Sequence, residues 1–137
     1  MLPLGHVAVA LAASDRIGGD SRAAILSSQL PDLVDKPLAW VFKATESSRY
    51  VAHTLVATAL CLGVVAAVSG PRTVRGIAAG YLTHLAADEL LGGKVPLLWP
   101  FKRYRLGHKS FRLRPRAMLI EMAAGAYLYR RWLTSRV

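Results

Sequence analysis

From Val51 to Val68 the chain runs for eighteen residues in which His53 is the only strongly polar side chain. A helix of that length can cross a bilayer. The apolar pattern predicts helix over 47–69. Ser69-Gly70-Pro71 then breaks it, and Pro71 is well placed in the first turn of a second helix running to about Leu91. The two make an antiparallel hairpin, and whatever else the chain forms must be built around it.

The remaining segments read as short helices and loops. Residues 2–13 are a short apolar helix, closed by a turn at Ser14, Asp15, Gly18 and Gly19. A second short helix covers 21–28. Pro31 and Pro37, six apart, deny helical hydrogen bonds and hold residues 28–37 as an extended, stiffened loop carrying Asp32 and Asp35. After Gly92 and Gly93, the stretch Val95-Pro96-Leu97-Leu98-Trp99-Pro100-Phe101 is extended and packs as a lid or wall. Residues 102–116 are strongly basic and read as a loose hairpin around Gly107, and Pro115 starts a last helix to about Trp132. No internal repeat or linker divides the chain. The expected fold is all-α, a small helical bundle built on the antiparallel helix hairpin, with extended loops around a site, in one domain over 1–137.

Composition narrows the setting. The chain of 137 residues is 53% hydrophobic and 19% charged, richer in apolar residues than an average soluble protein, so part of its surface is expected to meet lipid. Its formal charge of +10 favours anionic partners: lipid headgroups, nucleic acid or phosphoesters. Cys61 is the only cysteine, which excludes an internal disulfide and marks the thiol as a small core residue. The first residues, MLPLGHVAVALAAS, lack the basic start of a secretory signal and are read as part of the mature protein.

Against this apolar background stand six residues of metal-binding type: His6, Asp32, Asp35, His53, His84 and Asp88. Buried among apolar neighbours, each would cost several kcal/mol without a partner. His84 and Asp88 are four apart and share one helix face. His53 lies about 17 residues before the hairpin turn and Asp88 about 17 after it, so helix rise puts them at one level, about 26 Å from the turn. The Pro31–Pro37 loop must return to the same end and can add Asp32 or Asp35. Two imidazoles and two carboxylates suit Zn²⁺ first, with Mn²⁺ or Fe²⁺ as alternatives. His6 joins only if the first helix packs on the hairpin, and His108 is read as a solvated residue.

The motifs Gly5-His6, Leu30-Pro31-Asp32-Leu33-Val34-Asp35, His53-Thr54-Leu55, His84-Leu85-Ala86-Ala87-Asp88 and Leu97-Leu98-Trp99-Pro100-Phe101 resemble, over residues 1 to about 101, the YdjM-like bacterial family of inner-membrane-associated metal-dependent hydrolases. That family is itself similar to zinc-dependent phospholipase C and single-strand nucleases. The resemblance implies a mostly helical fold in which Asp32, His53, His84 and Asp88 hold metal, with His6 serving a neighbouring ion, and it implies phosphoester hydrolysis. After Asp88 and Glu89 only His108 and Glu121 remain as later ligands, so a full three-metal cluster is not expected.

The expected chemistry is attack on a phosphoester or phospholipid by a metal-activated water. Asp35 or Asp32 acts as base, and Lys36, Arg103 and Arg105 neutralise the phosphate. Basic residues crowd the segments up to Arg49 and from Lys94 to Arg116, against Arg72 and Arg75 at the hairpin turn. The positive-inside tendency therefore puts the site on the cytoplasmic side of an inner membrane. The competing reading is a non-catalytic basic module that binds anionic lipid or nucleic acid through residues 102–116, with Tyr104 and Phe111 as stacking groups. Oligomeric state is left open.

Overall fold

Helix packing in this protein starts from glycines at four-residue spacing. In the computed structural model, which describes residues 3–45, 47–92, 94–104 and 115–134, Gly76 and Gly80 lie on helix α4 (Pro71–Ala87) and face helix α2 (Ser21–Trp40). A Cβ on Gly80 would collide with the Ala24 carbonyl and the Ser27 hydroxyl and stand 2.9 Å from the Ser28 amide. One on Gly76 would strike the backbone of Asp20 and reach 3.0 Å from the Ala23 side chain. Only glycine lets the two backbones approach this closely, as small residues do at helix interfaces in membranes. The helices run parallel: Asp20 N donates to Arg72 O at 2.9 Å near their starts, and His84 meets the Ser28 carbonyl two turns further on.

Helix α1 (Pro3–Arg16) runs the other way across both. Its end is fixed by Gly19 N donating to Ser14 O at 2.8 Å, and its start lies at the far end of α4, where the His6 ring stacks on His84. Helix α5 (Pro115–Thr134) lies along α1. The Glu121 carboxylate accepts the Gly5 amide at 3.1 Å from both oxygens, which suits an anion at a helix start, and Arg131 pairs with Asp15 ten residues on. Helix α3 (Leu55–Val68) returns antiparallel to α4 through Ser69 and Gly70. The described residues thus form an all-α bundle with no strand.

The interior is unusual in kind. Tyr81, Leu85 and Val95, with Leu30, Cys61 and Leu97 beside them, make a small apolar cluster. The other fully enclosed groups are mostly polar: His6, Ser14, Ser27, Ser28, Asp35, His53, His84 and Asp88. Burial pushes the Tyr81 phenol up to about 12, so it stays protonated and donates to Ala52 O at 2.7 Å.

Three expectations are corrected. Residues 28–37 are not an extended loop: α2 is continuous from Ser21 to Trp40 with Pro31 and Pro37 inside it. A proline in a helix interior costs roughly 3 kcal/mol. Here the close packing on Gly76 and Gly80 and the Asp20 cap, which accepts from Ala23 N at 2.8 Å, offset that cost. Helix α3 starts at Leu55, not near 47, because Thr54 caps it, accepting from Ala57 N at 3.0 Å, and because Asp35 captures the amides of Tyr50 and Ala52.

At 14 residues α3 is about 21 Å long against the ~30 Å of a hydrocarbon core, and no described helix is long and apolar enough to cross a membrane. The described residues give the expected cytoplasmic orientation no support. The expected all-α bundle with its antiparallel α3–α4 hairpin is present, and α2 packs on α4 beside it. The basic hairpin around Gly107, with Arg105 and His108, lies outside the described residues.

Candidate metal centre

Four elements bring side chains to one end of the bundle. Asp32 comes from the fourth turn of α2, His53 from the segment before α3, His84 from the last turn of α4, and Asp88 from the widened turn Asp88–Gly92 that continues it. Gly76, Gly80, His84 and Asp88 follow one another at intervals of four, so the face that packs α4 on α2 becomes the face that carries the site. Asp32, His53, His84 and Asp88 each offer one ligand atom, all within 4.8 Å of one another. His53, His84 and Asp88 are sealed from solvent and Asp32 is partly exposed.

The proton positions on both imidazoles follow from their partners. His53 Nδ1 lies 2.7 Å from Asp35 Oδ2, and His84 Nδ1 lies 2.6 Å from the Ser28 carbonyl oxygen. Carboxylate and carbonyl oxygens accept only, so each Nδ1 carries the hydrogen. Each Nε2 therefore faces the cluster, and the two are 3.3 Å apart. Zn–N bonds of about 2.0–2.1 Å at a tetrahedral angle separate two nitrogens by about 3.3–3.4 Å. Asp32 Oδ1 and Asp88 Oδ2 each lie 3.7 Å from His53 Nε2, and Asp88 Oδ2 lies 3.8 Å from His84 Nε2.

A carboxylate or carbonyl behind each imidazole is the outer shell that fixes tautomer and ring orientation in metal sites. This donor set, two nitrogens and two carboxylates aimed at one point, could hold a metal ion.

Electrostatics agree with the geometry. Burial opposes ionisation of Asp35, but the hydrogen bond from His53 and the amides of Ala52 and Tyr50 outweigh it and hold its carboxyl below the ordinary value. For Asp88, burial is again overcome, by contacts with His53 and His6 and by the Arg49 charge, and the carboxyl is held far below the ordinary range. Burial disfavours a charged His53, yet its bond to Asp35 and its contact with Asp88 raise its pKa above the usual 6.5. His84 moves the other way, to about 4, through burial and the nearby His6 charge, against Asp88 and Asp32.

The expected residues divide clearly. Asp32, His53, His84 and Asp88 come together. His6 reaches the edge: its ring stacks on His84 at 3.9 Å and its Nε2 lies 3.4 Å from Asp88 Oδ1. That contact lacks hydrogen-bond geometry, and neither His6 nitrogen has a hydrogen-bond partner although the ring is buried. Asp35, expected as a base, stands behind His53, fully enclosed and occupied by three N–H donors. Lys36 pairs with Asp32 at 2.5 Å and lies 5.9 Å from the Trp40 ring centre. Arg103 is exposed and makes no hydrogen bond or ion pair among the described residues.

Two participants escaped the sequence reading. The Ser28 carbonyl is invisible in a sequence, and Arg49, whose Nε lies 2.7 Å from Asp88 Oδ2, was hidden among many basic residues.

No match is found among curated proteins or among solved structures. The model of the YdjM inner membrane protein family matches residues 1–136, and the chain belongs to that family of inner membrane proteins.

Proposed function

We propose that this protein is a metal-dependent hydrolase acting on a phosphoester at the Asp32–His53–His84–Asp88 centre. The observation that carries the reading is the pair of Nε2 atoms 3.3 Å apart, each fixed in place by an acceptor on its Nδ1. A divalent cation held by those four residues, zinc first and manganese or iron next, supplies a Lewis acid and lowers the pKa of a bound water toward neutrality.

The chain's own groups do the rest. Asp35 is a positioning residue: by receiving His53 Nδ1–H it holds the ring and keeps its Nε2 turned to the cluster. The Ser28 carbonyl does the same for His84. Asp32, partly open to solvent, is the carboxylate placed to take a proton from a water entering the site. His6, whose nitrogens make no hydrogen bond and whose Nε2 lies 3.4 Å from Asp88 Oδ1, serves a neighbouring ion or water in this reading. Phosphorus as the centre attacked is part of this proposal and is drawn from what the motif resemblance implies.

Membrane association belongs to the family. We infer that the outward face of α3 is what meets lipid, since Leu60, Val64 and Val68 are 66%, 67% and 80% exposed and α3 buries only Thr58. Exposed apolar area on this scale marks an interaction surface.

The test is hydrolysis of a panel of phosphodiesters and phosphomonoesters by metal-loaded protein, with His84→Ala as control. Turnover that depends on metal and is lost in the variant supports the reading. A panel with no turnover at full metal occupancy contradicts it.

A further inference from the structure

Two cationic side chains stand between solvent and the buried ligand atoms. Arg49, 22% exposed, presents Nε to Asp88 Oδ2 at 2.7 Å. Lys36, 36% exposed, presents Nζ to Asp32 Oδ2 at 2.5 Å. Lys36 binds Asp32 Oδ2 while Oδ1 lies toward His53, whereas Arg49 binds Asp88 Oδ2, the oxygen that also faces His53 and His84, and the two remaining nitrogens of the Arg49 guanidinium have no hydrogen-bond partner among the described residues. We propose that Arg49 and Lys36 form an oxyanion subsite that opens only when a cation occupies the centre, and that the subsite takes a phosphoryl group. The inference rests on the metal reading above.

The argument is one of charge. Asp32, Asp35 and Asp88 bring three negative charges, and Lys36 and Arg49 bring two positive ones. Metal-free, the two side chains serve as the counter-ions of Asp88 and Asp32. A divalent cation takes over that task and leaves the group with one net positive charge beside a low-dielectric interior, where an unmatched charge is costly. An anion arriving from solvent restores the balance, and the guanidinium fork matches the oxygens of a phosphoryl group two at a time. The same side chains thus hold the empty centre together and recognise a ligand once it is filled.

Full-length protein is titrated with zinc alone and then with phenylphosphonate, a phosphoryl probe that is not hydrolysed, by calorimetry. Zinc is expected to tighten probe binding by about tenfold or more, the worth of one or two hydrogen bonds to a charged group. Arg49→Gln is expected to lose that gain while zinc binding is not weakened, because a competing cation has been removed. Arg49→Lys, which keeps the charge but not the fork, should fall between, and gives the reading if Arg49→Gln does not fold. Lys36→Gln should show a smaller loss.

The proposal is overturned if zinc leaves probe affinity unchanged in the wild type, or if the Arg49→Gln/Lys36→Gln double variant binds the probe as well as wild type. Failure of the zinc titration sinks the metal reading itself, whereas zinc binding without probe binding sinks only the subsite. Vesicles of phosphatidic acid in phosphatidylcholine separate the sources: zinc-dependent binding to vesicles alone assigns a lipid phosphate, to phenylphosphonate alone a soluble one, and to neither overturns the subsite.

Discussion

Between α2 and α4 the packing residues are glycine, alanine and serine, and the space they leave ends in imidazoles and carboxylates. Along α3 Leu55, Leu60, Val64 and Val68 are exposed, and Thr58 is the one buried side chain. A water-soluble bundle arranges these the other way, with apolar side chains inside and polar ones outside. The difference shows what holds each region. Close backbone approach and a connected polar network fix α2 on α4, whereas α3 is held by its start, through Thr54 and Leu55 N donating to Leu97 O at 2.9 Å, by Cys61 against the apolar cluster, and by the turn into α4. An apolar environment outside the protein suits that plan, as the family's inner-membrane setting provides.

The largest expected effect lies in the polar region. His84→Ala should reduce zinc affinity by more than the roughly 10–100-fold that loss of an outer-shell partner causes, and Asp35→Asn should fall within that outer-shell range. A competition titration against a zinc chelator checks both. If Asp35→Asn cost as much as His84→Ala, Asp35 would belong among the ligands.

Two glycines then set the regions against each other. Gly80→Ala drives a methyl into the Ala24 carbonyl and should destabilise the protein by about 1–3 kcal/mol, despite the better helix propensity of alanine. Gly63→Ala in α3 meets nothing within 4 Å and should gain up to about 1 kcal/mol from propensity alone. Denaturation of both in the same detergent gives the comparison directly, and equal effects would mean that α2 and α4 are not in tight contact.

The pH dependence is subtler. The His84 pKa, lowered to about 4 from 6.5, means that the unfolded chain binds the proton first. The stability of its neutral ring is complete above pH 6.5 and is lost as pH falls toward 4. Asp35 and Asp88, both lowered from 3.8, extend that loss further into acid. His53, raised above 6.5, acts in the opposite sense: its contribution is complete below 6.5 and fades as pH rises through its folded value. Metal-free protein should therefore be most stable near neutrality. Thermal melts from pH 4 to 9 check this, and His84→Gln should flatten the limb between 6.5 and 4.

The smallest effect is expected on the apolar flank. Leu60→Ser with Val64→Ser should change folding stability in detergent by about 0.5 kcal/mol or less, as exposed positions do, while lowering recovery with vesicles in a flotation assay. Unchanged flotation would move the lipid contact away from α3.

Much of the site was legible in the sequence, and the reason is periodicity. His84 and Asp88 share a helix face, and a hairpin returns His53 to their level, whether His53 sits in the helix or, as here, just before it. Asp32 was legible as a candidate, but its setting was not. Two prolines suggest a broken helix, and the continuity of α2 depends on tertiary contacts with Gly76 and Gly80 that local propensity does not contain. The early start expected for α3 failed for a related reason: Asp35, eighteen residues before His53, takes the amides that a longer helix would need. Arg49 was unreadable because its role depends on meeting Asp88 across the fold, a distance that no local spacing encodes.

The central claim is that His53 and His84 grip one cation together with carboxylates of α2 and the turn after α4. X-ray absorption at the zinc edge of purified, zinc-loaded protein measures this directly. One zinc per chain with a shell of nitrogen and oxygen only, including two imidazoles, is the predicted result. A spectrum that shows no stoichiometric zinc, or a shell that survives unchanged in the His53→Ala/His84→Ala variant, would contradict it.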